Sequence, residues 1–210
     1  MWLNASIPEE YDLDIPTIPS ASIRETLEAC PYIPVCKPNR RGCPSEIPVM
    51  SVEFHNLCMT RSAVPDFDSF VEDYMSNNAD WIRVHAANFV EPLMARVERS
   101  YPSLIRDVYF VSVGREAGFE LERTLRMDFD GIDAILDKNV PIRLFFDSKR
   151  SRLDKMRKSI VHGVPPNCVD FACDPKRAEV VGGVYLYDRA AIEEFLSGLR
   201  AGDSDASNET

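Results

Sequence analysis

Two aspartates and a lysine are spaced so that an extended chain can gather them at one end of a hairpin. Gly131-Ile132-Asp133-Ala134-Ile135 is followed by Ile142-Arg143-Leu144-Phe145-Phe146-Asp147-Ser148-Lys149. Asp133 opens one predicted strand and Asp147 closes its neighbour, so pairing can bring both carboxylates to one side of a sheet. Asp147 and Lys149 are two residues apart and point the same way in an extended chain, with Ser148 opposite. Two carboxylates can hold a hard divalent cation, Mg²⁺ or Mn²⁺, whose other positions take water and phosphate oxygens. Such an ion polarises a phosphoryl oxygen and makes its bound water a better nucleophile. A lysine beside it can position that water or neutralise charge building up on the phosphate. The chemistry implied is phosphodiester hydrolysis, with Asp133 and Asp147 as metal ligands and Lys149 assisting the attack. Against this stands the plain reading of a solvated hairpin, because acids and lysines two apart are common on exposed strands.

The elements around these residues follow from periodicity. Phe119, Leu121, Leu125, Met127 and Phe129 alternate with polar residues, with one polar break at Arg123, and predict a strand. With Ile132 to Leu136 and Pro141 to Asp147 they predict an antiparallel three-strand meander joined by short turns. Upstream, Ile82, Ala86, Phe89, Val90, Leu93, Met94 and Val97 form the stripe of an amphipathic helix from Trp81 to about Arg99, bent at Pro92 and capped by Asp80. Ile47 to Phe54 predicts a strand, and Leu104 to Val113 fits helix or strand. Ser151 can cap a basic helix reaching Ile160. Cys168 to Cys173 and Val180 to Tyr187 predict two more strands, and Asp188 caps a terminal helix. The class is α/β, a mixed sheet flanked by helices.

Asp133, Asp147 and Lys149, with Ser148 as the variable position, resemble the motif of the PD-(D/E)XK nuclease superfamily. The match covers about 75 residues, from the long helix through the basic helix. The resemblance implies a restriction endonuclease-like core, a magnesium-dependent endonuclease activity and a nucleic-acid substrate, DNA ahead of RNA. It also implies a glutamate from the helix before the meander; Glu98 is the candidate, with Glu91, Glu116 and Glu120 left open. A restriction-type enzyme that cuts two strands would act as a homodimer.

The formal net charge is −10, but residues 1–30 carry −5 of it and residues 203–210 another −3. The segment 137–160 carries eight bases against three acids. Within it Arg150, Arg152, Lys155, Arg157 and Lys158 can line a phosphate backbone. The even count of six cysteines does not mark a disulfide framework without a secretory signal, and a cytoplasmic location is expected. Cys30, Cys36, Cys43 and Cys58 can supply ligands for structural Zn²⁺ or an Fe–S cluster, although none of their spacings is a tight CxxC. The longest apolar stretch, Val108 to Val113, is far too short to span a membrane. The organisation expected is a proline- and cysteine-rich arm (1–62), a nuclease-like domain (63–200) and a disordered acidic tail (201–210). A reading from another class keeps the scaffold without the chemistry, as a non-catalytic module that binds protein or nucleic acid.

Overall fold

A computed structural model describes residues 13–36, 47–149, 151–153, 165 and 167–206. The described residues include the α-helices α1 (Ser20–Ala29), α2 (Met50–Arg61), α3 (Phe67–Asn77), α4 (Ala79–His85), α5 (Val90–Glu116), α6 (Leu125–Phe129) and α7 (Arg189–Ala206). The strands are β1 (Leu121–Glu122), β2 (Ala134–Leu136), β3 (Val140–Phe146), β4 (Val169–Cys173), β5 (Glu179–Val181) and β6 (Val184–Leu186). The four-strand sheet runs β1-β2-β3-β4, and β5 and β6 make a separate hairpin. β2 pairs antiparallel with β1 and with β3, whereas β4 lies parallel to β3. The chain is therefore α/β, with a mixed four-strand sheet and helices.

Helix α5 organises the core because apolar residues recur along it for 27 residues. Leu93, Val97, Tyr101, Ile105, Phe110 and Val113 are completely buried. It packs on α1, α2, α3, α7, β1 and β6. Phe110 meets Phe171 of β4 at 5.1 Å between ring centroids, and Phe171 meets Phe195 of α7 at 5.1 Å. Helix, sheet and C-terminal helix are thus locked at one aromatic seam. Ile15, Ile18, Ile23, Leu27, Phe54 and Cys58 belong to the same buried cluster as α5 and the sheet. These described parts of 1–62 therefore pack into the same core as residues of 63–200. Helix α7 continues to Ala206, six residues into the stretch expected as a tail.

Several local expectations are corrected. Residues 47–54 are not a strand: α2 begins at Met50, and its buried Phe54 and Cys58 are four apart, one helical turn. The stripe of residues 82–97 is split between α4 and α5. Pro92 has no N–H and its ring would crowd the carbonyl of residue 88, which disfavours a helix running through from 82, although α5 does accommodate Pro102 in its interior. Instead Pro92 stands in the first turn of α5, where an N–H would have no partner. Asp80 is not the cap expected; it lies inside α4 and pairs with Arg83 at 3.1 Å. Residues 119–129 form only two residues of strand before Thr124, whose side chain accepts from Met127 N–H and starts α6. The single strand expected at 180–187 is a hairpin, turned at Gly182 and Gly183 with φ of 51° and 80°. A Cβ on Gly182 would come within 1.9 Å of the Leu27 carbonyl oxygen, so the turn also requires glycine for its close approach to α1.

Candidate functional site

β3 delivers Asp147, Ser148 and Lys149 to the surface at its C-terminal end. The apolar residues before them hold the strand: Ile142, Leu144 and Phe145 are buried. Asp147 N–H donates to the Cys173 carbonyl at 2.7 Å, which extends the β3–β4 pairing by one bond. The chain then turns at Ser148, whose Oγ accepts from Ser151 N–H at 3.1 Å and whose carbonyl accepts from Arg152 N–H at 3.0 Å. Ser148, not Ser151, is therefore the capping residue of this turn. Asp147, Ser148, Lys149, Arg152 and Leu153 line an open depression of about 350 Å³. Inside it Arg152 grips Asp147 through two contacts: Nε donates to Oδ1, and Nη2 donates to Oδ2 at 2.5 Å. The guanidinium holds the Asp147 carboxyl below its ordinary range. Arg150, Lys155, Arg157, Lys158 and Cys43 lie outside the described residues.

Asp133 stands in different surroundings. Its Oδ2 accepts from Leu144 N–H at 2.6 Å, which ties the first carboxylate to β3. Leu144 precedes Asp147 by three residues, roughly 10 Å at the rise of a strand. The expected convergence is therefore incomplete: the structure groups Asp147 with Lys149 and Arg152, and gives Asp133 other neighbours.

Those neighbours form a charge cluster that the periodicity argument passed over. Arg123 is 5% exposed, and its guanidinium meets the Asp133 carbonyl at 2.7 Å, Asp128 at 3.0 Å and Asp107 at 3.4 Å. Its backbone N–H donates to Asp14 Oδ1 at 2.8 Å. Arg106, on α5 beside Asp107, lies over the Phe146 ring at 5.2 Å, and its buried Nε has no hydrogen-bond acceptor. Burial pushes the Asp107 carboxyl up to about 7, against the pull of Arg123 and with Asp133 and Asp128 reinforcing the rise. Burial and the charge of Arg123 hold buried His55 neutral, down to about 4. In the sequence Arg123 showed only as a polar break in an apolar alternation; it stands between β1 and the Thr124 cap of α6.

A pH dependence follows. The native state holds a proton on Asp107 that the unfolded chain releases near 4, so this contribution is full below pH 4 and lost as pH rises to about 7. His55 acts oppositely: its neutral form favours the native state above about 6.5, and that contribution falls away toward pH 4. Asp107→Asn removes the first effect alone. Urea titrations at pH 5 and pH 8 should show the variant losing stability relative to wild type at pH 5 and recovering much of the gap at pH 8. A gap independent of pH would mean that Asp107 is ionised throughout.

Glu98, the expected third acid, has its carboxylate engaged by the segment after α1. It is 3% exposed and its carboxylate accepts from Val35 N–H at 3.3 Å and Cys36 N–H at 2.9 Å, so it anchors the segment after α1. Glu116 binds Ser20 and Arg189, Glu120 pairs with Lys138, and Glu91 is exposed. Among the cysteines proposed for Zn²⁺ or Fe–S, Cys30 contacts Asp68 at 3.6 Å and Cys58 is fully buried, its thiol pushed up to about 12 by burial. Among the described residues, no group of three or more His, Cys, Asp or Glu side chains is arranged to hold a metal ion. No described helix is long and apolar enough to cross a membrane.

No known protein family, curated protein or solved structure matches the chain. The functional reading rests on the residues of the depression and the strands that carry them.

Proposed function

We propose that this protein is a divalent-metal-dependent endonuclease, acting on DNA ahead of RNA, on a restriction endonuclease-like core with an antiparallel meander. The observation that carries the reading is the grouping of Asp147, Ser148 and Lys149 in one open depression at the end of β3; Asp133 is tied to the same strand three residues earlier, through Leu144 N–H at 2.6 Å. A mixed sheet flanked by helices agrees with it. So does the parallel β3–β4 pair, because a parallel pair needs a long crossover and residues 147–168 supply it. That crossover carries Arg150, Arg152, Lys155, Arg157 and Lys158, the residues assigned to phosphate contacts.

Of the two carboxylates only Asp147 lines the depression, and a hard cation such as Mg²⁺ would have to be held there through one direct carboxylate and several waters. Bound there, the ion would supply Lewis-acid polarisation of a phosphoryl oxygen and an acidified water. The chain's own residues do the rest. Arg123, through the Asp133 carbonyl, and Leu144, through the carboxylate, orient the first acid. Lys149, exposed at the rim of the depression, orients the attacking water or offsets charge on the phosphate.

The test is cleavage of labelled single- and double-stranded DNA and RNA with Mg²⁺ or Mn²⁺. Metal-dependent cutting by wild type, lost in Asp147→Ala and Lys149→Ala, is the result expected. One observation favours a second reading: both Asp147 oxygens are engaged by Arg152, as they would be in a scaffold that binds protein or nucleic acid without cutting. Nucleic acid bound but uncut, with no Mn²⁺ uptake that depends on Asp147, would select that reading.

A further inference from the structure

We infer that Arg106 is a further substrate-binding residue: its guanidinium meets a backbone phosphate of the nucleic acid at the C-terminal end of β3, from the side of α5. The inference rests on the nuclease reading and names a second side from which that reading's substrate is held.

Three observations carry it. The first is position. The Arg106 guanidinium lies over the Phe146 ring at 5.2 Å, and Phe146 directly precedes Asp147, so the charge stands where β3 delivers the candidate site. A guanidinium over an aromatic face keeps its N–H donors at its rim, where oxygens can reach them. The second is an unmet donor. Arg106 donates to the Tyr187 hydroxyl oxygen, but its buried Nε has no acceptor. Asp107, its neighbour in sequence, turns to Arg123 instead, at 3.4 Å. A buried donor without a partner is costly, and a ligand oxygen would satisfy it. The side chain is only partly buried, so rotation of its end group can turn Nε and Nη together toward one phosphate, the two-bond geometry in which arginine binds that group. The third is topology. β3 and β4 run parallel and end together here, with Asp147 N–H donating to the Cys173 carbonyl at 2.7 Å. Open α/β sheets bind ligands outside the carboxyl ends of their parallel strands. Arg106 does not line the depression itself: Lys149 and Arg152 stand there, and Arg106 stands on the α5 side of the same strand end. Cations thus flank the end of β3 on two sides, which suits a chain that carries a charge at every nucleotide.

The test measures binding without any divalent ion. The full chain, as wild type, Arg106→Gln and Arg106→Lys, is titrated into fluorescein-labelled DNA in EDTA, at salt concentrations from about 50 to 200 mM. Arg106→Gln should weaken binding to a similar degree on unrelated sequences. It should also reduce the slope of log K against log salt by about 0.7–0.9, the share of one phosphate contact. Arg106→Lys keeps the charge and should keep the slope, while losing the two-bond geometry and part of the affinity. A residue that only packs against Phe146 and Tyr187 would leave the slope where it is. A slope for Arg106→Gln equal to that of wild type therefore overturns the inference, and cleavage by the wild type leaves the nuclease reading standing. Wild type that neither binds nor cuts nucleic acid overturns both. A second measurement needs no variant to fold: the Arg106 Nε–H resonance of ¹⁵N-labelled wild type should shift when the oligonucleotide is added. An unmoved resonance, or an equal shift with inorganic phosphate at the same phosphate concentration, overturns the contact.

Discussion

Replacing Arg123 by methionine should lower the free energy of unfolding by about 3–5 kcal/mol, read from the shift of a urea transition at pH 8. Arg123 is the positive charge that Asp107 and Asp128 both contact, at 3.4 and 3.0 Å. Methionine fills a similar volume, so the loss measures carboxylates left in a dry site more than a cavity. It also frees the Asp133 carbonyl, which accepts from Nη1 at 2.7 Å. Adding Asp107→Asn and Asp128→Asn to the same chain should recover a good part of the loss, because a buried pair replaced by neutral groups costs far less than one half removed. Recovery by these amides distinguishes stranded charge from lost packing. A single variant that unfolds at the wild-type midpoint would mean that water reaches the cluster.

Phe110→Ala should cost a comparable amount, about 3–5 kcal/mol, by opening a cavity where three elements meet. Phe110 is completely buried on α5, against Phe171 at 5.1 Å and Phe195 at 6.5 Å. None of these side chains can move far into the gap, because Phe171 is fixed in β4 and also packs on Tyr187 at 5.3 Å. For a chain of this length the thermal midpoint should fall by on the order of 10 °C. Phe195→Ala, at a partly exposed position on α7, should cost clearly less. If the two variants were equally stable, α7 rather than α5 would be the element that closes the seam.

Much of the scaffold could be read from the chain. Of the predicted stripe Ile82, Ala86, Leu93 and Val97 are buried, whereas Phe89 and Val90, at the break between α4 and α5, are exposed, so the break misjudged in the helix also took residues out of its face. The cap Asp188 was legible too, since a carboxylate before an apolar-periodic run finds an N–H a few residues ahead, here that of Ala191 at 2.7 Å. The hairpin of β2 and β3 was visible in its alternation and its turn, where Asp137 and Lys138 adopt φ of 47° and 63°. The candidate site was legible only in part. Asp147, Ser148 and Lys149 reach one depression because they are adjacent in sequence. Asp133 was assigned to them by assuming that a strand end meets a strand end, and the register instead sets it at Leu144.

What the sequence determined by itself is what neighbours along the chain decide: which residues alternate, which recur every third or fourth position, where a proline forbids a hydrogen bond. Such terms act over a few residues and need no partner from elsewhere. Tertiary structure alone decided that residues 50–61 are helix, because Phe54 and Cys58 found a common core to enter. It also decided that Glu98 caps a distant backbone segment 62 residues earlier, and that Arg123 collects Asp107 and Asp14 across 16 and 109 positions. A buried charge is tolerated only where opposite charges are brought to it from other elements. No local pattern specifies which carboxylate arrives, because packing selects it.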